Sequence, residues 1–311
     1  MTDLATPHVD VVTDRDAELI ETEGLSETPK SFGRLAWERF RKHRLAIIGA
    51  IGMLLITVTF IIGPWLSKYG FDQNDVLNRR QGPSREHPFG TDSIGRDLFV
   101  RTTFGGRYSL RIGVTVAIVA TAVGTLLGAM AGFFGGWIDA LISQFINLVL
   151  IVPALIVLSV FALKYGAKPN GIAFVLAALL WTRIARVVRG VVLQFKEQEF
   201  VMAARAAGAT SRRIIARHIL PNVVGPVVVE ITLLLGTAIV LESTLSFLGL
   251  GVKPPIPTLG TLVAGAKGDI DSDPIKVLLP GFMIVIIVLC VNFLGDGLRD
   301  ALDPRSRVEK D

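Results

Sequence analysis

Long apolar runs decide what this 311-residue chain can become. A helix needs about 20 consecutive apolar residues to cross about 30 Å of hydrocarbon, and several stretches here approach that length. Inside lipid every backbone N–H and C=O must be paired within the protein, which leaves helices or closed barrels. A barrel would show short segments of alternating polarity, and no such series occurs. Six spans are therefore expected, at about 45–66, 109–133, 138–163, 172–189, 223–245 and 277–295. The fourth is the weakest because Arg183 and Arg186 intrude, and it is expected to leave the bilayer near its C-terminal end, where both can snorkel. With 51% hydrophobic and 19% charged residues, little remains to cover a large soluble part. The chain reads as an all-α, polytopic membrane protein.

Charge is distributed unevenly around those spans. Residues 1–30 hold eight acidic residues against Arg15 and Lys30, a net of −6, which leaves +11 for the remainder of a chain that totals +5. The acidic head has no periodicity and few large apolar residues, so it is expected to be disordered and is no cleavable signal peptide. A basic remainder suits loops facing an anionic inner leaflet, and charge spread around membrane segments argues against nucleic acid. Segment 31–44 places Phe32, Leu35, Ala36 and Phe40 on one helical face, as an amphipathic helix at the membrane interface would. Lys and Arg favour a cytoplasmic N-terminus, with 17 on the inner segments against 12 on the outer ones. The C-terminal tail, 296–311, falls on the same side, and the first outer loop is 67–108.

One polar insertion needs a use. Glu199-Phe-Val-Met-Ala-Ala-Arg-Ala-Ala-Gly208 continues through Arg212, Arg213 and Arg217 to Leu220 and Pro221, between two membrane-length runs. Ala203, Ala204, Ala206 and Ala207 favour a helix, Gly208 can adopt the left-handed conformation that ends one, and Thr210 or Ser211 can cap the next. The second piece is expected to stop at Pro221. Small alanines permit close approach and Arg205, Arg212 and Arg213 supply charge, which fits a docking surface. Composition alone does not separate that from an ordinary amphipathic loop.

Other candidates reduce to blander chemistry. His87-Pro-Phe-Gly-Thr-Asp-Ser-Ile-Gly-Arg-Asp97 mixes His, Asp and Arg, but Pro88, Gly90 and Gly95 mark turns and Asp92, Arg96 and Asp97 can pair locally. No nucleophile elbow accompanies it. Gly260 to Lys267 fails as a phosphate loop, because Ala266 separates Gly265 from the lysine and no Ser or Thr follows. The lone Cys290 acts as a small hydrophobe. Two carboxylates interrupt the fifth span. Glu242 is expected to bond Ser243, Thr244 or nearby backbone, whereas Glu230 either faces a translocation path and a substrate amine or pairs with an arginine.

The 199–221 segment resembles the conserved loop of permease subunits of bacterial ABC importers, which reads Glu-Ala-Ala, three residues, Gly, nine residues, Ile, one residue, Leu-Pro. Ala203, Ala204, Gly208, Leu220 and Pro221 fill that spacing, with Met202 at the Glu position and His218 at the Ile position. The His87–Asp97 block, Leu245-Ser-Phe-Leu-Gly-Leu-Gly-Val-Lys-Pro-Pro255 and Gly295-Asp-Gly-Leu-Arg-Asp-Ala-Leu-Asp-Pro-Arg305 look like the corresponding blocks of dipeptide and oligopeptide permeases of the C type. The resemblance implies the type I importer permease fold, with a core over 109–295 and a cytoplasmic coupling helix. It implies no catalytic, cofactor or metal site in this chain; ATP and Mg would be bound by two partner ATPase subunits. A homologous second permease, an extracytoplasmic substrate-binding protein and membrane lipid complete the expected partners, and the bacterial inner membrane is the expected location. Residues carried over to the ATPase-coupling loop are Glu199, Met202, Ala203, Ala204, Arg205, Gly208, Arg212, Arg213, Leu220 and Pro221. Nickel complexes or glutathione are alternative cargoes for the same machinery. An ion-driven secondary transporter or a membrane scaffold would leave the loop without a role.

Overall fold

The computed structural model describes residues 32–165 and 168–302. The acidic segment 1–30 and the C-terminal residues beyond Leu302 lie outside the described residues. Helices account for the architecture: α1 (Phe32–Lys42), α2 (Arg44–Leu66), α3 (Leu98–Phe134), α4 (Gly136–Ile151), α5 (Ala154–Tyr165), α6 (Pro169–Phe195), α7 (Glu199–Ala206), α8 (Ser211–Ile214), α9 (Leu220–Phe247), α10 (Leu259–Ala266) and α11 (Ile275–Leu302). No strand forms among the described residues, and a single antiparallel bridge joins Thr91 to Asp97. Five helices are long and apolar enough to cross a membrane by length and composition. The sixth candidate is the pair α4 and α5, bent by 80°. A continuous span over 138–163 was the expectation. Pro153 breaks it: a proline has no N–H to donate and clashes with the preceding turn, so the helix ends at Ile151 and restarts at Ala154.

The molecule is organised around α3 and α6. Gly124, Gly128 and Gly132 recur every fourth residue, so they lie on one stripe of α3. A Cβ at these positions would come within 2.6 Å of Trp181 O, 2.5 Å of Ala185 O and 2.9 Å of Arg189 O. Only glycine lets the two backbones approach this closely, the small-residue device of membrane helix pairs. Around this pair the apolar core gathers Val116, Ala120, Ile184, Val188 and Val192, all buried. A second cluster joins α2, α3, α9 and α11 through Phe60, Leu110, Ile239 and Ile287. Cys290 belongs to the α2–α11 contact: a Cβ on Gly52 would meet its sulfur at 2.6 Å.

The first helix and the 67–97 loop are fastened by polar contacts. Leu35, Ala36 and Phe40 of α1 are half-buried, while His43 caps α2 by accepting from Ala46 N at 3.1 Å and lies 3.4 Å from Asp300. Asp97 starts α3 at Leu98, well before the apolar run, by accepting from Val100 N at 2.8 Å. Its second oxygen meets His87 Nδ1 at 2.7 Å with both side chains buried, and Tyr69 stacks on the His87 ring. Asp92 and Arg96 pair at 2.6 Å, and Arg101 donates to Phe71 O at 2.9 Å. The His–Asp block is a clasp that ties a loop to a helix start.

Candidate functional site

The exposed insertion between α6 and α9 is built in two pieces. Helix α7 ends in the turn its sequence favours: Ala209 N donates to Ala204 O and Gly208 N to Arg205 O, both at 3.0 Å, with Gly208 at φ +79°. That pattern satisfies the last carbonyls through one left-handed residue. Thr210 then caps α8 by accepting from Arg213 N at 3.4 Å. The second piece departs from expectation at Pro221, which stops nothing. Residues 211–247 run as one helical stretch through a widened π turn at Ile215–Ile219, where Leu220 N donates to Ile215 O. The widened turn absorbs the proline, whose ring would clash with a regular preceding turn, and next to it Asn222 Nδ2 donates to His218 O at 2.7 Å.

Three apolar anchors hold this insertion to the core, and the residue patterns of the loop had not singled them out. Val201, Ile214 and Ile219 are all at most 1% exposed and join the cluster around Val188 and Val192 of α6. Apolar neighbours hid them in the sequence: Val201 lies between Phe200 and Met202, Ile214 beside Ile215, and Ile219 beside Leu220. Among the carried-over residues, Met202, Ala203, Arg205, Gly208, Arg212 and Arg213 are exposed together with Glu199, whereas Ala204 and Leu220 are half-buried. Pro221 is exposed at the helix surface. Nothing lies within 4 Å of a Cβ built on Gly208. Phe200 and Met202 are 41% and 51% exposed, so the outward face is both apolar and basic.

The arginines of α6 are met by partners inside the protein. Arg183 lies 3.0 Å from Glu230 on α9, Arg189 binds Asp139 of α4 through Nε at 2.5 Å and Nη2 at 2.7 Å, and Arg186 donates to Asn147 at 3.2 Å. These acceptors come from other helices, so composition does not locate them. Glu230 thus pairs with an arginine, and it also lines a cavity of about 360 Å³ with Val187, Pro226, Leu233 and Arg299. Glu242 is fully buried, and its partners differ from those expected. It accepts from Ser246 Oγ at 2.7 Å, Thr258 Oγ1 at 2.8 Å and Ser109 Oγ at 3.5 Å, so one carboxylate joins α9, α10 and α3. Ser246 sits one turn along the same face, while Ser243 and Thr244 project elsewhere on the helix. Two further cavities flank Tyr108 and Arg111, on either side of the same part of α3 that carries Ser109. Their basic residues were counted with the 67–108 loop or lost in the apolar run, although Arg107 and Arg111 sit one helical turn apart.

Comparison with known proteins gives the arrangement its relatives. The family model described as binding-protein-dependent transport system inner membrane component matches residues 124–308, and the N-terminal transmembrane domain of oligopeptide transport permease C matches residues 31–83. The chain is 40% identical over 274 residues to the dipeptide transport system permease protein of Alkalihalophilus pseudofirmus, covering 88% of this chain and 90% of that protein. It is 40% identical over 291 residues to the oligopeptide transport system permease protein of Escherichia coli K12, covering 92% and 96%. Among solved structures, the inward-facing MetNI methionine ABC transporter matches with TM-score 0.55 and 20% identity over 66% of this chain and 96% of that one. At that identity the match speaks for the fold alone, which is the type I importer permease fold.

Proposed function

This chain belongs to the family of binding-protein-dependent transport inner-membrane components, as a C-type permease of the dipeptide and oligopeptide class, and on that premise we propose that it carries peptides across the cytoplasmic membrane using ATP hydrolysed by partner subunits. The observation that carries this reading is the mounting of the 199–213 loop: anchored by Val201, Ile214 and Ile219, and open on the face bearing Met202, Ala203, Arg205 and Arg213. Such a face suits a groove on an ATPase subunit, with Glu199, Ala204, Gly208, Arg212, Leu220 and Pro221 shaping it. The complete machine has a second permease, two ATPases holding ATP and Mg, and an extracytoplasmic binding protein. The N-terminus, C-terminus and loop then lie on the cytoplasmic side, with the 67–97 loop outside.

The mechanism follows from rigidity. A ligand shifts a conformational equilibrium only by its differential contacts with the two states. ATP-driven closure of the ATPases moves the docked loop, and because that loop packs on α6 and is continuous with α9, its displacement reaches both helices without loss in a flexible linker. Glu230, paired with Arg183, lines the 360 Å³ cavity and is our candidate in this region for contact with a translocation path. Two measurements test the assignment. Affinity purification of the tagged chain should bring down two ATPase chains and a second permease. Gly208→Trp should abolish ATP-driven peptide uptake while leaving membrane insertion intact, and normal uptake by that variant would sink the docking role.

A further inference from the structure

Two cavities on the side of the molecule away from the 199–213 loop meet at one arginine. The first, of about 490 Å³, is lined by Tyr108, Arg111, Leu158, Ala162, Lys168 and Asn170 among others. The second, of about 580 Å³, lies on the other flank of α3 and is lined by Phe60, Ile61, Phe104, Arg107, Tyr108 and Arg111 among others. Among the described residues, three cations line the two cavities and no carboxylate does. Arg107 and Arg111 are one helical turn apart on an exposed stripe of α3, and the Arg107 guanidinium rests 5.7 Å from the Phe104 ring centre. Among the described residues neither has an acidic partner. Arg183 and Arg189, further along the bundle, each have one.

Arg107 and Arg111 sit at the outer end of a membrane span, exposed to the two cavities and without an acidic partner, so they can take an anionic counter-charge. The geometry points to Arg111, assisted by Arg107 and Tyr108, as the site that binds the C-terminal carboxylate of a peptide in transit. This rests on the peptide-import reading and adds which end of the peptide this subunit holds. A guanidinium matches a carboxylate in charge and fork geometry. The carboxylate is also the one anion common to peptides of any side-chain composition, while walls such as Phe60, Ile61 and Leu158 offer unselective apolar contact. Arg111 sits where two concave walls meet, those of α2 on one side and of α5, α6 and α9 on the other.

The test uses the complete transporter in proteoliposomes, with its binding protein saturated by one peptide as the free acid or as the C-terminal amide. Wild type should import the acid faster. R111Q should lower the acid-to-amide ratio of uptake rates by about tenfold, the worth of one charge-assisted contact, and R111K should keep most of the ratio. An equal fall for both peptides, or equal uptake of both by wild type, overturns the inference. So does an R111Q effect present in vesicles of phosphatidylcholine with phosphatidylglycerol but missing in phosphatidylcholine alone, which would assign Arg111 to a lipid headgroup. If R111Q fails to assemble with its partner subunits, R107Q must show the same selective loss. A wild-type transporter that hydrolyses ATP yet imports neither peptide removes the peptide reading itself.

Discussion

At the scale of single residues, three positions separate packing from function. Gly208 holds a φ of +79° with open space around it, so alanine there meets only backbone strain. Gly208→Ala should cost about 1–2 kcal/mol locally and reduce uptake modestly, whereas the bulk of tryptophan on the docking face should stop it; uptake rates of both variants decide. Glu242 carries three hydroxyl donors from three elements. Glu242→Ala leaves those donors unmet and should lower stability by about 2–4 kcal/mol, with Glu242→Gln losing less, as read from apparent melting temperatures in detergent. Glu230 is the third. Unchanged uptake of every tested peptide by Glu230→Gln would end any substrate role for that carboxylate and leave its pairing with Arg183 as structural.

At the scale of elements, what was legible in the sequence was whatever a short local pattern specifies. Helix α7, the glycine turn at 208 and the Thr210 cap follow from local propensity and hydrogen-bond chemistry. The stop expected at Pro221 did not appear, because a π turn five residues long reconciles a proline with a continuing helix and only tertiary packing selects that option. The partners of Glu242 were hidden for a related reason: Ser109 and Thr258 are distant in sequence and arrive through the packing of α3 and α10. The pairing of α3 with α6 rests on the glycine stripe. Gly128→Ala should destabilise the permease by about 1–3 kcal/mol, since its Cβ meets Ala185 O, and Gly128→Leu should prevent a stable fold; thermal melting of purified protein checks both.

At the scale of the whole molecule, six apolar runs foretold the architecture, because bilayer thickness sets their length before any packing is known. The bend between α4 and α5 was not foretold, since its 80° angle depends on what each half packs against. The interlocked backbones of α3 and α6 have a mechanical consequence. Two rods meshed through three glycines cannot slide or splay cheaply, so they form a beam, and any stroke delivered at Val201, Ile214 and Ile219 swings that beam as a unit. Compliance must then reside at its edges, and the joint at Val152–Pro153 is the corner where the chain already turns without a helical hydrogen bond. A cysteine crosslink between α3 and α6 should therefore leave uptake intact, whereas one bridging α4 and α5 across that joint should stall it. Transport rates in proteoliposomes before and after reduction read both, and a stalled beam with a free corner would reverse the assignment of lever and pivot.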